Sequence, residues 1–235
     1  MAIENAKEII SNDTFRVYPI TVKELYEAGV EYEEEEGKQL KGGKYVGDKW
    51  GGKYLRAPDI FFTILKKGKG KLVKLGDIAE VRFGIKTGCN EFFYLTDEQA
   101  REWGIEEEFL KPVIKSPREC KSILVNPKDL KYKIFMCNKS KAELKGTNAL
   151  KYIQWGEKQT TEDGVCWKDV PSVQGRKYWW GLGEREPRKI LWPMIHNDRL
   201  GCFWNRPRVE VDHNLFEISP FVPSLFSVII LFFRE

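Results

Sequence analysis

The sequence predicts an α+β fold: a strand-rich mixed-sheet domain with short helices, preceded by a small α/β segment. Three observations carry this. Short runs alternate apolar and polar residues, as in "TFRVYPI" and at Val81, Phe83 and Ile85. Short helices with cap signals stand between such runs. No internal repeat is visible, and no Gly-rich loop precedes a helix in phosphate-binding register.

Residues 1–36 read as the small α/β piece. "TVKELYEAG" opens on Thr21 as N-cap, has Glu24 three residues later and closes at Gly29, which predicts a short helix. Glu33 to Glu36 form an acidic, solvated run. Residues 37–56 hold Gly37, Gly42, Gly43, Gly47, Gly51 and Gly52 in no fingerprint spacing; they read as a flexible linker or a ligand-facing loop. Pro58 and Asp59 start another short helix, with Ile60, Phe61, Ile64 and Leu65 on its apolar side. Lys66, Lys67, Lys69, Lys71 and Lys74 then crowd together. An exposed loop and a phosphate-contacting patch both fit them.

From Leu72 the pattern turns strand-rich. Leu75 to Val81 reads as a helical turn or a strand, and "EFFYL" as the strand partnering "VRFGI". In "TDEQAREWGI", Thr96 is the expected N-cap, Asp97 and Glu98 fill the first turn and Gly104 ends the helix. "FLKPVIKS", "SILVN" and "KYKIFMC" read as strands, and residues 138–159 as a helical stretch broken near Gly146. An irregular loop over 159–183 carries Trp167, Trp179 and Trp180, with Trp155 just before it. "PRKILWPMI", "RLGCFWN" and "RVEVDHNLFEI" read as three more strands. The apolar run Leu225–Phe233 is far short of the roughly 20 residues that span a membrane, so it reads as a buried strand or short helix. The abrupt stop after it suggests a truncated end, or an element that would normally continue.

Composition narrows the function classes. Lys and Arg number 39 against 35 Asp and Glu, and a net charge of +4 does not by itself imply nucleic acid. Cys89, Cys120, Cys137, Cys166 and Cys202 are odd in number and lack C-x-x-C spacing; with only two His in the chain, a metal site is not expected. Scattered cysteines and an N-terminus without an apolar signal core fit the reducing cytoplasm. G-x-S-x-G is absent. His196 and His213 each neighbour an acid, in "IHND" and "VEVDHN", but adjacent residues on a strand point to opposite faces. No self-sufficient active site emerges.

The segment Gly175–Arg208 is different. It carries eight basic residues, Arg176, Lys177, Arg185, Arg188, Lys189, Arg199, Arg206 and Arg208, against three acidic ones. Tyr178, Trp179, Trp180, Trp192, Phe203 and Trp204 interleave with them. Cations with aromatics suit phosphate contact plus base stacking or wedging. Core tryptophans with rim arginines give the same pattern.

Three stretches then carry a family resemblance. "LGDIAEVRFGIKTGCNEFFYLT" resembles the strand–G-I-x-T-G-x-N–x-F element of target-recognition domains in adenine-specific DNA methyltransferases, the TaqI-like C-terminal specificity domains of restriction–modification enzymes. "FLKPVIKSPRE" is similar to the family's L-K-P segment. "PRKILWPMIHNDRLGCFWNRPRVEVDHNLFEI" is similar to its K-I-x-x-P, aromatic and D-x-N strands, in the family's order. The matches span roughly Leu72 to Ile218. The resemblance implies a domain that reads double-stranded DNA beside a methyltransferase catalytic domain or subunit. That catalytic domain would bind S-adenosylmethionine and carry Asn/Asp-Pro-Pro-Tyr/Phe, a motif this chain lacks. No cofactor is therefore expected on this chain. Residues 1–56 would be a remnant of the catalytic domain or a linker from it, and residues 57–235 the recognition domain.

The expected DNA contacts are Lys66, Lys67, Lys69, Lys71, Lys86, Thr87, Asn90, Arg176, Lys177, Arg199 and Arg206, with Gly84 and Gly88 shaping the loop. No membrane partner is expected. Two rival readings remain: a protein-interaction or specificity subunit docking through the C-terminal apolar run, and a cofactor-binding methyltransferase fragment with the 37–56 glycines as cradle.

Overall fold

The computed structural model describes residues 5–12, 15–31, 34–35, 38–39, 44–47, 50–195 and 201–225. The chain divides into two units, Met1–Leu72 and Val73–Glu235.

The first unit holds β1 (Ile10–Ser11), β2 (Arg16–Val17), α1 (Val22–Glu27), β3 (Val30–Glu31), β4 (Glu34–Glu35), β5 (Lys38–Gln39), β6 (Lys44–Tyr45), a π-helical turn (Gly51–Arg56) and α2 (Asp59–Lys67). Its strands form three antiparallel pairs, β1–β2, β3–β6 and β4–β5. α1 starts as the sequence predicts. The Thr21 hydroxyl accepts from the Glu24 amide while the Glu24 carboxylate accepts from Thr21. The glycine-rich stretch holds short strands and the π-helical turn. Burying the Tyr54 ring against Tyr18, 5.0 Å between centroids, draws that turn in. Phe62 of α2 packs on the same Tyr18 ring at 4.8 Å. Arg16 also bonds the Ala57 carbonyl and Asp59, so α2 belongs to this unit.

The second unit holds α3 (Leu75–Ile78), β7 (Ala79–Phe83), α4 (Asn90–Phe93), β8 (Tyr94–Leu95), α5 (Asp97–Trp103), β9 (Leu110–Ile114), β10 (Tyr132–Phe135), α6 (Asn148–Gly156), α7 (Pro171–Gln174), β11 (Ile190–Pro193), β12 (Phe203–Trp204), β13 (Glu210–Val211) and β14 (Leu215–Pro220). Two four-stranded sheets form, in the orders β13-β9-β10-β8 and β12-β11-β14-β7. Among the described strands, only the β13–β9 pair is parallel, so the first sheet is mixed and the α+β expectation holds.

The core lies mainly on the first sheet. Phe92, Phe93, Phe135, Tyr152 and Ile153 are fully or almost fully buried there, with Trp167, Trp179 and Trp180. A smaller cluster of Ile114, Val125, Leu191, Val209, Val211 and Leu215 draws on strands of both sheets. α5 is bounded as expected: Thr96 caps it and Gly104 ends it at φ 60°.

Three strand expectations are corrected. "EFFYL" is not one strand: Asn90–Phe93 makes a single helical turn before β8. Adjacent Phe92 and Phe93 are both fully buried, which a one-sided strand cannot achieve because its side chains alternate. A helical element thus does follow Gly88 closely, and β7 pairs with β14 rather than β8. "SILVN" contributes one isolated bridge, Leu124 to Trp204. "RVEVDHNLFEI" is two strands, split by a turn in which the Leu215 amide donates to the Asp212 carbonyl at 3.1 Å. The C-terminal apolar run beyond Leu225 lies outside the described residues.

That turn joins the sheets. β13 before it belongs to one sheet and β14 after it to the other. Gly84 and Ile85 dock on it: Ile85 donates to Val211 at 2.6 Å, Gly84 donates to Leu215 at 3.0 Å, and His213 donates to Ile85 at 3.0 Å. A Cβ on Gly84 would collide with the Asp212 carbonyl and lie 2.6 Å from the Val211 carbonyl oxygen. Glycine is required there for close approach.

Gly84→Ala is expected to destabilise the domain by about 3 kcal/mol. Calorimetry should read a melting temperature lower by roughly 6–12 °C. A second prediction concerns alkaline pH. Burial pushes the Cys89 and Cys202 thiols up to about 11 and Cys120 up to about 12. In the unfolded chain such thiols titrate near 9.0. The resulting stability is complete below pH 9 and is lost as pH rises through the folded values. Melting temperature should fall between about pH 9 and 11, and Cys202→Ala should flatten that fall.

Candidate nucleic-acid interface

The Gly84–Asn90 loop is built from inside. Thr87 is 1% exposed, and its hydroxyl donates to the Asn90 Oδ1. Gly88 sits at φ 74°, and a Cβ there would press on the Ser172 side chain at the start of α7. Lys86 and Asn90 face outward. The loop is then pinned from a segment about ninety residues away. The Arg176 guanidinium donates to the Lys86 carbonyl at 2.9 Å, to the Thr87 carbonyl at 2.7 Å and to the Trp179 carbonyl at 3.4 Å. It also lies 5.5 Å from the Phe93 ring centre. Burial pulls the Arg176 pKa below the usual arginine value.

Arg176 thus serves the loop's backbone. Its neighbour Lys177 is exposed, with Nζ 5.4 Å above the Tyr178 ring. Beside them lies a shallow cleft of about 440 Å³, lined by Asn138, Arg176, Lys177, Tyr178 and Leu182. The staple therefore ties the backbone of the loop that carries Lys86 and Asn90 to the residue preceding Lys177. Arg206 is exposed elsewhere, with its guanidinium carbon 5.8 Å above the Trp204 ring. Lys66, Lys67, Lys69 and Lys71 are exposed at and beyond the end of α2, in the first unit. Arg199 lies outside the described residues.

Much of the basic segment's charge is spent internally. Glu217 on β14 has a fully buried side chain. Arg82 reaches it at 3.2 Å, Arg185 pairs with it, and the Arg188 amide donates to it at 2.8 Å. The Arg188 side chain bonds Glu80 at 2.9 Å, and Arg208 bonds the Pro187 carbonyl and lies 3.5 Å from Glu186. Burial, then the neighbouring Arg82, lowers the Arg185 pKa. Burial raises that of Glu210, against the pull of Lys111 at 3.6 Å and of Arg185. Trp179 and Trp180 are core residues, their indole N–H groups directed at Glu157 and the Lys139 carbonyl. They are not stacking platforms.

Sequence reasoning set His213 aside because strand neighbours diverge. The turn removes that objection, and the His213 Nδ1 lies 3.3 Å from the Asp212 Oδ1. Asp212 itself is 1% exposed, accepting from the Tyr94 hydroxyl and, at 2.9 Å, from the Asn214 amide. The Tyr94 hydroxyl is pushed far up, first by burial and then by the Asp212 carboxylate. The adjacent acid in "VDHN" was the available signal. The turn that gives it meaning depends on two sheets meeting.

Sequence comparison assigns the class. Residues 47–198 match the family of the C-terminal domain of Type II methyltransferase M.Eco57I, and the chain belongs to that family, the C-terminal domain of a restriction–modification methyltransferase. Among its relatives is the Type II methyltransferase M.AccI of Acinetobacter calcoaceticus, 28% identical over 155 residues. That match covers 63% of this chain and 26% of the relative, so the chain matches about a quarter of that relative's length. A solved structure of the Type IIL restriction–modification enzyme MmeI in complex with DNA aligns with a TM-score of 0.46 at 11% identity, over 68% of this chain and 21% of that one. Among the described residues, no cluster of His, Cys, Asp and Glu could hold a metal ion, and no helix is long and apolar enough to cross a membrane.

Arg176→Lys keeps the charge but cannot reproduce the fork that spans two carbonyls. It should cost about 1–3 kcal/mol. Hydrogen exchange should quicken at the amides of residues 85–90 while those of β10 stay protected.

Proposed function

We propose that this chain reads double-stranded DNA for a Type II methyltransferase whose catalytic chemistry resides on another domain or subunit. Methylating an amino group of a stacked base requires flipping that base out, and the duplex must then be held from two sides. A second domain supplies the other side and needs no catalytic residues. S-adenosylmethionine would bind the catalytic part, and the assembly would work in the cytoplasm.

The observation that carries this reading is the Arg176 staple. Two segments with DNA-contact character, Gly84–Asn90 and Arg176–Lys177, are joined by the bonds from the Arg176 guanidinium to the Lys86 and Thr87 carbonyls. Lys86 and Lys177 point outward and suit phosphates; Asn90 suits a phosphate or a base edge. Thr87 supports Asn90 from beneath. Lys66, Lys67, Lys69 and Lys71 form a further cationic patch for backbone contact.

The double variant Lys86→Ala/Lys177→Ala tests this. Gel shifts on a mixed-sequence duplex across a salt series should show weaker binding. The slope of log K against log salt should fall by about 1.8. Unchanged affinity and slope would overturn the role of this surface.

A further inference from the structure

We propose that His213 is a base-reading residue, offering a hydrogen-bond acceptor to an exocyclic amino group in the major groove. This deepens, and rests on, the DNA-reading function proposed above.

Four observations meet at this side chain. First, the ring has two unlike edges. Nδ1 is buried and faces the Asp212 carboxylate at 3.3 Å, yet the side chain as a whole is 41% exposed. The exposure therefore lies on the edge that carries Nε2. Second, Asp212 is held in place by the Tyr94 hydroxyl and the Asn214 amide, so the carboxylate behind the ring is fixed. Third, the His213 backbone is tied to the recognition loop through the Ile85 carbonyl. Lys86 and His213 each stand one residue beyond the buried Ile85–Asp212 bridge, and both leave the core. Fourth, the groups bonded to Asp212 are the Asn214 amide and the Tyr94 hydroxyl, and burial with the carboxylate holds the proton on that hydroxyl, so neither is an activated nucleophile beside this imidazole.

The chemistry follows. In the tautomer that carries its proton on Nδ1, the side of the fixed carboxylate, the ring presents the Nε2 lone pair outward. Phosphate contacts from lysines position a protein on the duplex but carry no sequence information. An outward acceptor does carry it. In the major groove it complements the N4 amino group of cytosine or the N6 amino group of adenine, and it meets an unfavourable acceptor at guanine O6 or thymine O4.

The test uses the 235-residue chain. A duplex library with a randomised centre is passed over wild type, His213→Phe, His213→Gln and Lys86→Ala, and the retained pools are sequenced. Binding to the selected site is then measured by anisotropy across a salt series. His213→Phe should lose preference at one base pair, with about a tenfold fall in the specific-to-random affinity ratio and an unchanged salt slope. His213→Gln, whose amide oxygen can replace Nε2, should regain part of that preference. Lys86→Ala should keep the preference and lower the salt slope by about 0.9. The inference is overturned if wild type selects a site and His213→Phe selects the same one with equal ratio, or if the variant alters only the salt slope. Wild type that binds duplex without any consensus also overturns base reading, while leaving DNA binding intact. Wild type that retains no duplex overturns the proposed function itself.

Discussion

The buried carboxylate of Asp212 is the constraint on which the second unit depends. It stands where the chain leaves one sheet and enters the other. Its side chain accepts from Tyr94 and from the Asn214 amide, and its own amide donates to the Ile114 carbonyl at 2.9 Å. A buried charge of this kind survives only when its oxygens are occupied. Taking away one of these hydrogen-bond partners costs about 1.5–3 kcal/mol. The cost fixes the geometry: Tyr94 must come from the first sheet, the turn must close, and Gly84 must let the Gly84–Asn90 loop leave against the Asp212 carbonyl.

Electrostatics inside the second sheet serve the same end. Buried Glu217 and the half-buried Arg82 and Arg185 form a cluster, with the Arg188 amide supplying a further bond. Such clusters add little net stability, because desolvation offsets attraction. They do penalise a wrong register. A one-residue slip of β14 would turn Glu217 away from both arginines. The basic character of 175–208 is therefore largely architectural, and the cations that face outward beside the loop, Lys86 and Lys177, are fewer than the composition implies.

Local signals were legible wherever a neighbouring residue supplies the partner. Thr21 with Glu24, Thr96 as N-cap, and Gly104 at positive φ each satisfy backbone groups within one turn, so spacing alone reveals them. "LKPVI" and "KILWP" contain strands β9 and β11 for a different reason: their apolar residues need a face to bury. Phe92–Phe93 misled because an apolar run suits a strand and a helical turn equally. The tryptophans left both readings open, since a large aromatic serves a core and a nucleic-acid surface alike.

By itself, the sequence determined the fold class, the capped helices, the loop with its two glycines and the family resemblance. The tertiary structure alone decided which strands pair, and that β7 meets β14 rather than β8. It also decided that Arg176 holds the loop through two carbonyls while Lys177 faces outward, and that His213 has a carboxylate behind it. The physical reason is one of range. Caps and turns are closed by residues a few positions apart, whereas pairing, burial and the spending of charge depend on groups about ninety to one hundred and thirty residues away.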